Sequence, residues 1–149
     1  MSNRVNSWKI RYMAYFNKVG LVILNSDGTK FLVCEKGSFT TDYLTPGGKI
    51  EKDECDEECL AREIKEELNV EINKDSLKYI NTYLGLASGD NTKDVSIKLY
   101  KGEIIDEPTP SQEIIKLHWI GKEDTTNIRV SPIIRYKIIP DLIKKEILK

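Results

Sequence analysis

Glu63, Glu66 and Glu67 crowd into one short stretch behind the run Thr45-Pro46-Gly47-Gly48, with Arg62 directly before them. On a helix, at about 100° per residue, their carboxylates fall within an arc of roughly 100° and can converge. Helix stability alone would not choose this arrangement. Acids in a last turn oppose the helix dipole, and like charges four apart cost roughly 0.3 kcal/mol. A bound cation reverses the sign. Hard oxygen ligands that leave room for water and phosphate oxygens suit Mg²⁺ or Mn²⁺ better than zinc, which prefers nitrogen and sulfur. The chemistry indicated is a metal-phosphate site, although the same glutamates taken alone also fit a solvated acidic face.

Such side chains need a loop and a helix to hold them. Pro46-Gly47-Gly48 excludes a regular helix or central strand, and paired glycines let the backbone turn sharply and approach a ligand closely. From Asp56 to about Leu68 the residues are good helix formers, acidic at the start, with Leu60, Ile64 and Leu68 four apart as the buried stripe. Asn69 tolerates the left-handed conformation and ends the helix. Relieving the glutamates' mutual repulsion, Glu66→Gln or Glu67→Gln is expected to leave the melting temperature equal or higher.

The flanking chain is mainly β. Trp8, Ile10, Tyr12, Ala14 and Phe16 alternate with more polar neighbours, as in a strand with one buried face. VGLVILNSDGTKFLVCEK predicts a hairpin turning at Ser26-Asp27-Gly28-Thr29. LKYINTYLGLA and DVSIKLYKGEII predict a second antiparallel pair around Ser88-Gly89-Asp90-Asn91. EPTPSQE is a loop and IIKLHWI a short strand. Ser131 then caps a last helix with Pro132 at its first position, running to the C-terminus with a bend at Pro140. The order predicts an α/β fold in which helices cover a mixed sheet.

The length of 149 residues predicts a single domain over 1–149. With 40% hydrophobic and 32% charged residues and a formal charge of -1, the composition is that of a soluble globular protein. No basic surplus announces nucleic acid. No apolar block of signal-peptide type opens the chain and no run of about eighteen apolar residues occurs, so a cytoplasmic protein without a membrane partner is expected. Cys34, Cys55 and Cys59 form an odd set without paired spacing, which favours reduced thiols in or near the core over disulfides or zinc.

Gly48, five residues, Glu54, seven residues, then Arg62-Glu63-Ile64-Lys65-Glu66-Glu67-Leu68-Asn69-Val70 resembles the box of the Nudix hydrolases, G-x5-E-x7-R-E-U-x-E-E-x-G-U with U aliphatic. Six glycine or polar matches at about 7% each arise by chance on the order of once in 10⁷ starting points, so composition does not explain them. The one departure is Asn69 in place of glycine, and Asn is the next best residue for a left-handed helix end.

The resemblance implies an α/β/α sandwich with a catalytic loop-helix-loop, and Mg²⁺-dependent (or Mn²⁺-dependent) hydrolysis of a nucleoside diphosphate linked to another group. It implies that Glu63, Glu66 and Glu67 hold the metal, with Glu63 a candidate for activating water and Arg62 orienting and neutralising the glutamates. Gly47 and Gly48 would offer backbone carbonyls, and with Glu54 they form the substrate-binding side. A further acid often comes from a loop before a Trp-containing strand. Glu113, before Trp119, matches it, with Glu107 the competing choice. His118 beside Trp119 is read as a strand residue rather than a base.

Substrate is read outside the box. Phe31, Phe39, Tyr43 and Tyr83 could stack on a base or fill the core. Gly85 and Leu86-Ala87 stand where a proline accompanies ADP-ribose cleavage in the family and a tyrosine accompanies diadenosine polyphosphate cleavage. Their absence favours small MutT-type nucleoside triphosphate pyrophosphohydrolases, acting for example on 8-oxo-dGTP. Val130, however, stands where that group's guanine-reading asparagine precedes a proline. The alternatives are an ADP-ribose, nucleotide-sugar or dinucleotide pyrophosphatase, and a non-catalytic nucleotide-binding module. The protein is expected to be a monomer or homodimer.

Overall fold

The computed structural model describes residues 14–37 and 40–149. Strands run at Phe16–Val22 (β1), Phe31–Glu35 (β2), Tyr43–Leu44 (β3), Gly47–Lys49 (β4), Glu71–Ala87 (β5), Asp90–Ile105 (β6) and Lys116–Ile120 (β7). The α-helices are Asp56–Leu68 (α1) and Ile139–Lys144 (α2). Trp8, Ile10 and Tyr12 of the expected N-terminal strand, and Phe39, lie outside the described residues.

The expected mixed sheet has the order β4-β1-β6-β5, with β1 parallel to β6 and the other pairs antiparallel. Beside it lies an antiparallel sheet ordered β3-β2-β7. The pair expected around Ser88-Gly89 is present as the long β5-β6 ribbon. The first hairpin is shorter than its sequence suggests. Asn25 N–H donates to Lys30 O at 2.9 Å and Leu24 bridges Phe31, but beyond that point the strands part. Both edges of β1 are taken by β4 and β6, so β2 turns instead to β3 and β7.

Strand β2 shows why two helical layers are needed. Phe31 and Val33 face one core and Leu32 and Cys34 the other, all of them buried. On the second face Val19, Leu21, Leu32 and Cys34 meet Leu60, Ile64 and Leu68 of α1, each helix residue fully buried. Burial of such a side chain contributes about 2 kcal/mol. On the opposite face Phe31, Val33, Ile97 and Leu99 meet Ile134, Ile138, Ile139 and Leu142. This is the expected α/β/α sandwich, and it holds α1 rigidly by its apolar stripe.

The C-terminal helical segment departs from expectation in three ways. Ser131 caps with its backbone, its carbonyl accepting from Ile134 and Arg135 N–H at 3.1 Å each, while its Oγ is fully buried without a partner among the described residues. The turn over Ile134–Ile138 is a wide π-turn closed by Ile139 N–H donating to Ile134 O. A proline ring in a regular helix meets the carbonyl four residues back, and the wider turn accommodates Pro140. The helix also stops at Lys144, after which Ile147 and Leu148 N–H fold back onto Leu142 O at 2.9 and 3.1 Å, burying Leu148. Because no Oγ cap exists to lose, Ser131→Ala should leave the melting temperature unchanged or raised, instead of costing the ~1 kcal/mol of a lost N-cap. A thermal melt checks it.

Candidate active site

Helix α1 has the bounds and ends that its sequence predicts. Glu58 Oε1 accepts from Cys55 N–H at 3.0 Å at the start. At the other end Asn69 adopts φ 57° and ψ 36° and donates to Lys65 O. Helices leave their last carbonyls unpaired. Here the loop before β7 supplies partners, Thr109 N–H to Leu68 O and Ser111 N–H to Glu67 O, both at 3.0 Å. The loop carrying Glu113 is thereby pinned beside the glutamate cluster.

The glycine turn meets the same helix from the side. Gly47, at φ +138°, donates its N–H to Glu67 Oε1 at 2.8 Å, and a Cβ on it would lie 2.0 Å from Val19 O. A Cβ on Gly48 would lie 2.5 Å from the Glu63 carboxyl carbon, so the missing side chain is what lets that carboxylate approach the turn. Glu54 lies in the turn just before α1 rather than within it.

Two cations organise the acids. Arg62 grips Glu54 with Nε and Nη2 at 2.8 and 2.9 Å, and reaches Glu63 with Nη1 at 2.8 Å and Glu66 at 3.7 Å. Hydrogen bonds from Arg62, then from the Glu51 N–H, hold the Glu54 carboxyl down to about 2. Lys36, after β2, places its ammonium 2.9 Å from Glu67 Oε2 and 3.5 Å from Glu113 Oε1. Burial pushes the Glu67 carboxyl above the ordinary value, against Lys36 and the Gly47 N–H. Burial likewise raises Glu63, against Arg62. Burial draws the Lys36 ammonium down, but Glu67 and Glu113 together hold it above the ordinary value.

Glu63, Glu66, Glu67, Gln112 and Glu113 line a cavity of about 260 Å³. Glu107 does not line it. The donors are all hard oxygens or an amide, a set that suits a hard divalent cation. Among the described residues no three carboxylate, imidazole or thiol groups already converge as a metal cage. Glu66 is half exposed. A larger groove of about 640 Å³ adjoins, lined by Gly48, Glu63, Glu113 and the ribbon tip Ala87–Asp90, with Lys18, Lys36 and Lys49 on its wall. Burial, and then Lys36 and Lys49, hold the Lys18 ammonium below its ordinary value. Lys18, in β1, and Lys36, just after β2, escape a sequence reading because nothing local marks either lysine as facing a site. The one faint signal is that Lys36 comes two residues after the apolar run Phe31-Leu32-Val33-Cys34.

Other candidates lie elsewhere. His118 stacks on Tyr43 with ring centroids 4.1 Å apart, and its Nε2 is 2.9 Å from Glu35 Oε1. Phe31 is in the core, and the Tyr83 hydroxyl donates to Asp141 Oδ2 at 2.6 Å. The three cysteines are free, with Cys34 and Cys59 buried and Cys55 exposed. Burial pushes the Cys59 thiol up to about 12 and Cys34 higher still. Iodoacetamide at mildly alkaline pH should therefore add to Cys55 alone in the native protein and to all three in denaturant, as intact mass would show.

A family model described as NUDIX domain matches residues 14–142. The mRNA-decapping enzyme subunit 2 of Saccharomyces cerevisiae (strain YJM789) is 27% identical over 128 residues, covering 84% of this chain. The chain spans only 13% of that relative's length. Among solved structures, the MutT protein from Methanosarcina mazei Go1 superposes with a TM-score of 0.71 at 22% identity, covering 91% of this chain and 97% of that one. A C. elegans Ap4A hydrolase superposes at 0.65 and 21% identity, covering 88% and 97%. No helix among the described residues is long and apolar enough to cross a membrane. With the glycine turn, Arg62 and the glutamates placed as above and the family model matching over most of its length, the chain belongs to the Nudix family, whose members are pyrophosphohydrolases.

Proposed function

We propose that the chain is a Mg²⁺-dependent pyrophosphohydrolase of MutT type, converting a nucleoside triphosphate to a nucleoside monophosphate and pyrophosphate. The observation that carries this reading is the clasp of Gly47 on Glu67 and Gly48 against Glu63, opening on a groove walled by Lys18, Lys36 and Lys49. Clustered acids beside clustered lysines suit a polyphosphate that brings its own cation. Members of the family generally use a divalent metal. Glu63, Glu66 and Glu67, with the Gly48 carbonyl and Glu113, would hold Mg²⁺ or Mn²⁺, which when bound supplies Lewis acidity and lowers the pKa of a bound water.

The chain's own residues do the positioning. Arg62, bridging Glu54 and Glu63, fixes the Glu63 carboxylate at the boundary between groove and cluster. From there Glu63 takes the proton of the attacking water. The Gly47 N–H fixes Glu67. The lysines would face the phosphate charge in the groove that the ribbon tip Ala87–Asp90 also lines.

Substrate identity is tested by incubating the protein with nucleoside triphosphates including 8-oxo-dGTP, ADP-ribose, nucleotide sugars and diadenosine polyphosphates at graded Mg²⁺, and identifying products. Pyrophosphate and a monophosphate are expected, with turnover abolished by chelator and restored by Mg²⁺. The Ap4A hydrolase likeness favours a second reading, a dinucleotide substrate. Release of two nucleotides without pyrophosphate would establish that instead. Tight binding without turnover would make the chain a nucleotide-binding module.

A further inference from the structure

We propose that the Lys36 ammonium is a tethered competitor of the divalent cation, neutralising Glu67 and Glu113 and leaving them when the ion binds. This rests on the assignment of those two acids as metal ligands. Glu67 is 2% exposed and both its oxygens are engaged, Oε1 by the Gly47 N–H and Oε2 by Lys36 at 2.9 Å. Among the described residues, no hydrogen-bond donor other than that ammonium reaches Oε2. An ion ligated through Oε2 therefore either displaces the ammonium or sits within a few ångströms of it, and like charges that close in a poorly solvated place repel strongly.

A plain structural ion pair would join one acid to one base. Lys36 instead reaches two acids from separate elements, Glu67 on α1 and Glu113 on the loop before β7, and both line the same carboxylate cavity. Its side chain, 8% exposed, also lines the adjoining groove of about 640 Å³. The four-carbon stem can swing there, as a lysine's flexible stem allows. The arrangement holds the acids together without a metal at the cost of weaker metal binding.

The test is a titration with Mn²⁺ alone, without nucleotide, of the parent, Lys36→Met and Lys36→Gln, read by electron paramagnetic resonance and by thermal melts. Lys36→Met keeps the stem and removes the charge. It should bind Mn²⁺ about tenfold more tightly than the parent, melt lower without metal, and gain more in melting temperature on saturation. Equal or weaker Mn²⁺ affinity in a folded variant overturns the proposal. A parent that binds no Mn²⁺ at millimolar concentration instead overturns the metal assignment beneath it. If neither variant folds, parent crystals grown with and without Mn²⁺ decide: an ammonium still bonded to Glu67 beside a bound ion overturns the proposal, and one turned into the groove supports it.

Discussion

Glu67→Gln should turn over substrate about a hundredfold more slowly than the parent, and should also melt lower. Glu66→Gln, one residue away, should lose comparable activity while melting at the same or a higher temperature. Helix self-repulsion alone predicts an equal or higher melting temperature for both, and burial is what separates them. Glu66 is half exposed and touches Arg62 only at 3.7 Å, so its removal simply relieves repulsion. Glu67 is the buried counterion of Lys36, and its amide replacement keeps an acceptor for the Gly47 N–H but leaves the buried ammonium only the exposed Glu113 at 3.5 Å. Removing one partner of a buried pair costs about 3 kcal/mol, or roughly 8 °C for a chain of this size. Parallel melts and initial rates check both. Full activity in Glu67→Gln would remove that carboxylate from the proposed metal set.

The adjacent glycines should fail in different ways. Gly47→Ala builds its Cβ at φ +138° and 2.0 Å from the Val19 carbonyl. The obstacle is backbone of the paired strand β1, which cannot move without breaking the β1-β4 ladder. The loss should be about 4 kcal/mol, on the order of 12 °C in melting temperature, or outright failure to fold. Gly48→Ala meets the end of the Glu63 side chain at 2.5 Å. A flexible carboxylate can rotate aside for about 1 kcal/mol, so the variant should fold, while losing on the order of a hundredfold in turnover through the displaced acid. A Gly48→Ala enzyme with parental kcat would show that Glu63 does no chemistry where it stands.

Sequence by itself determined the parts whose geometry is local. The bounds of α1, its buried stripe Leu60, Ile64 and Leu68, and the left-handed Asn69 end follow from helical periodicity and capping preferences, which act within a few residues. The β5-β6 ribbon follows from two alternating runs about one turn. The acid set could be named because it shares one helix and one spacing. Only the tertiary structure decided that β1 and β2 part into different sheets, that Ser131 caps without its hydroxyl, and that a wide turn precedes Pro140. It alone brought Lys36 from the end of β2 between Glu67 and Glu113, and pinned the Glu113 loop to the last carbonyls of α1. Those features depend on which strand edges, carbonyls and charges remain unpaired once the layers pack, and segments distant along the chain compete for each of them.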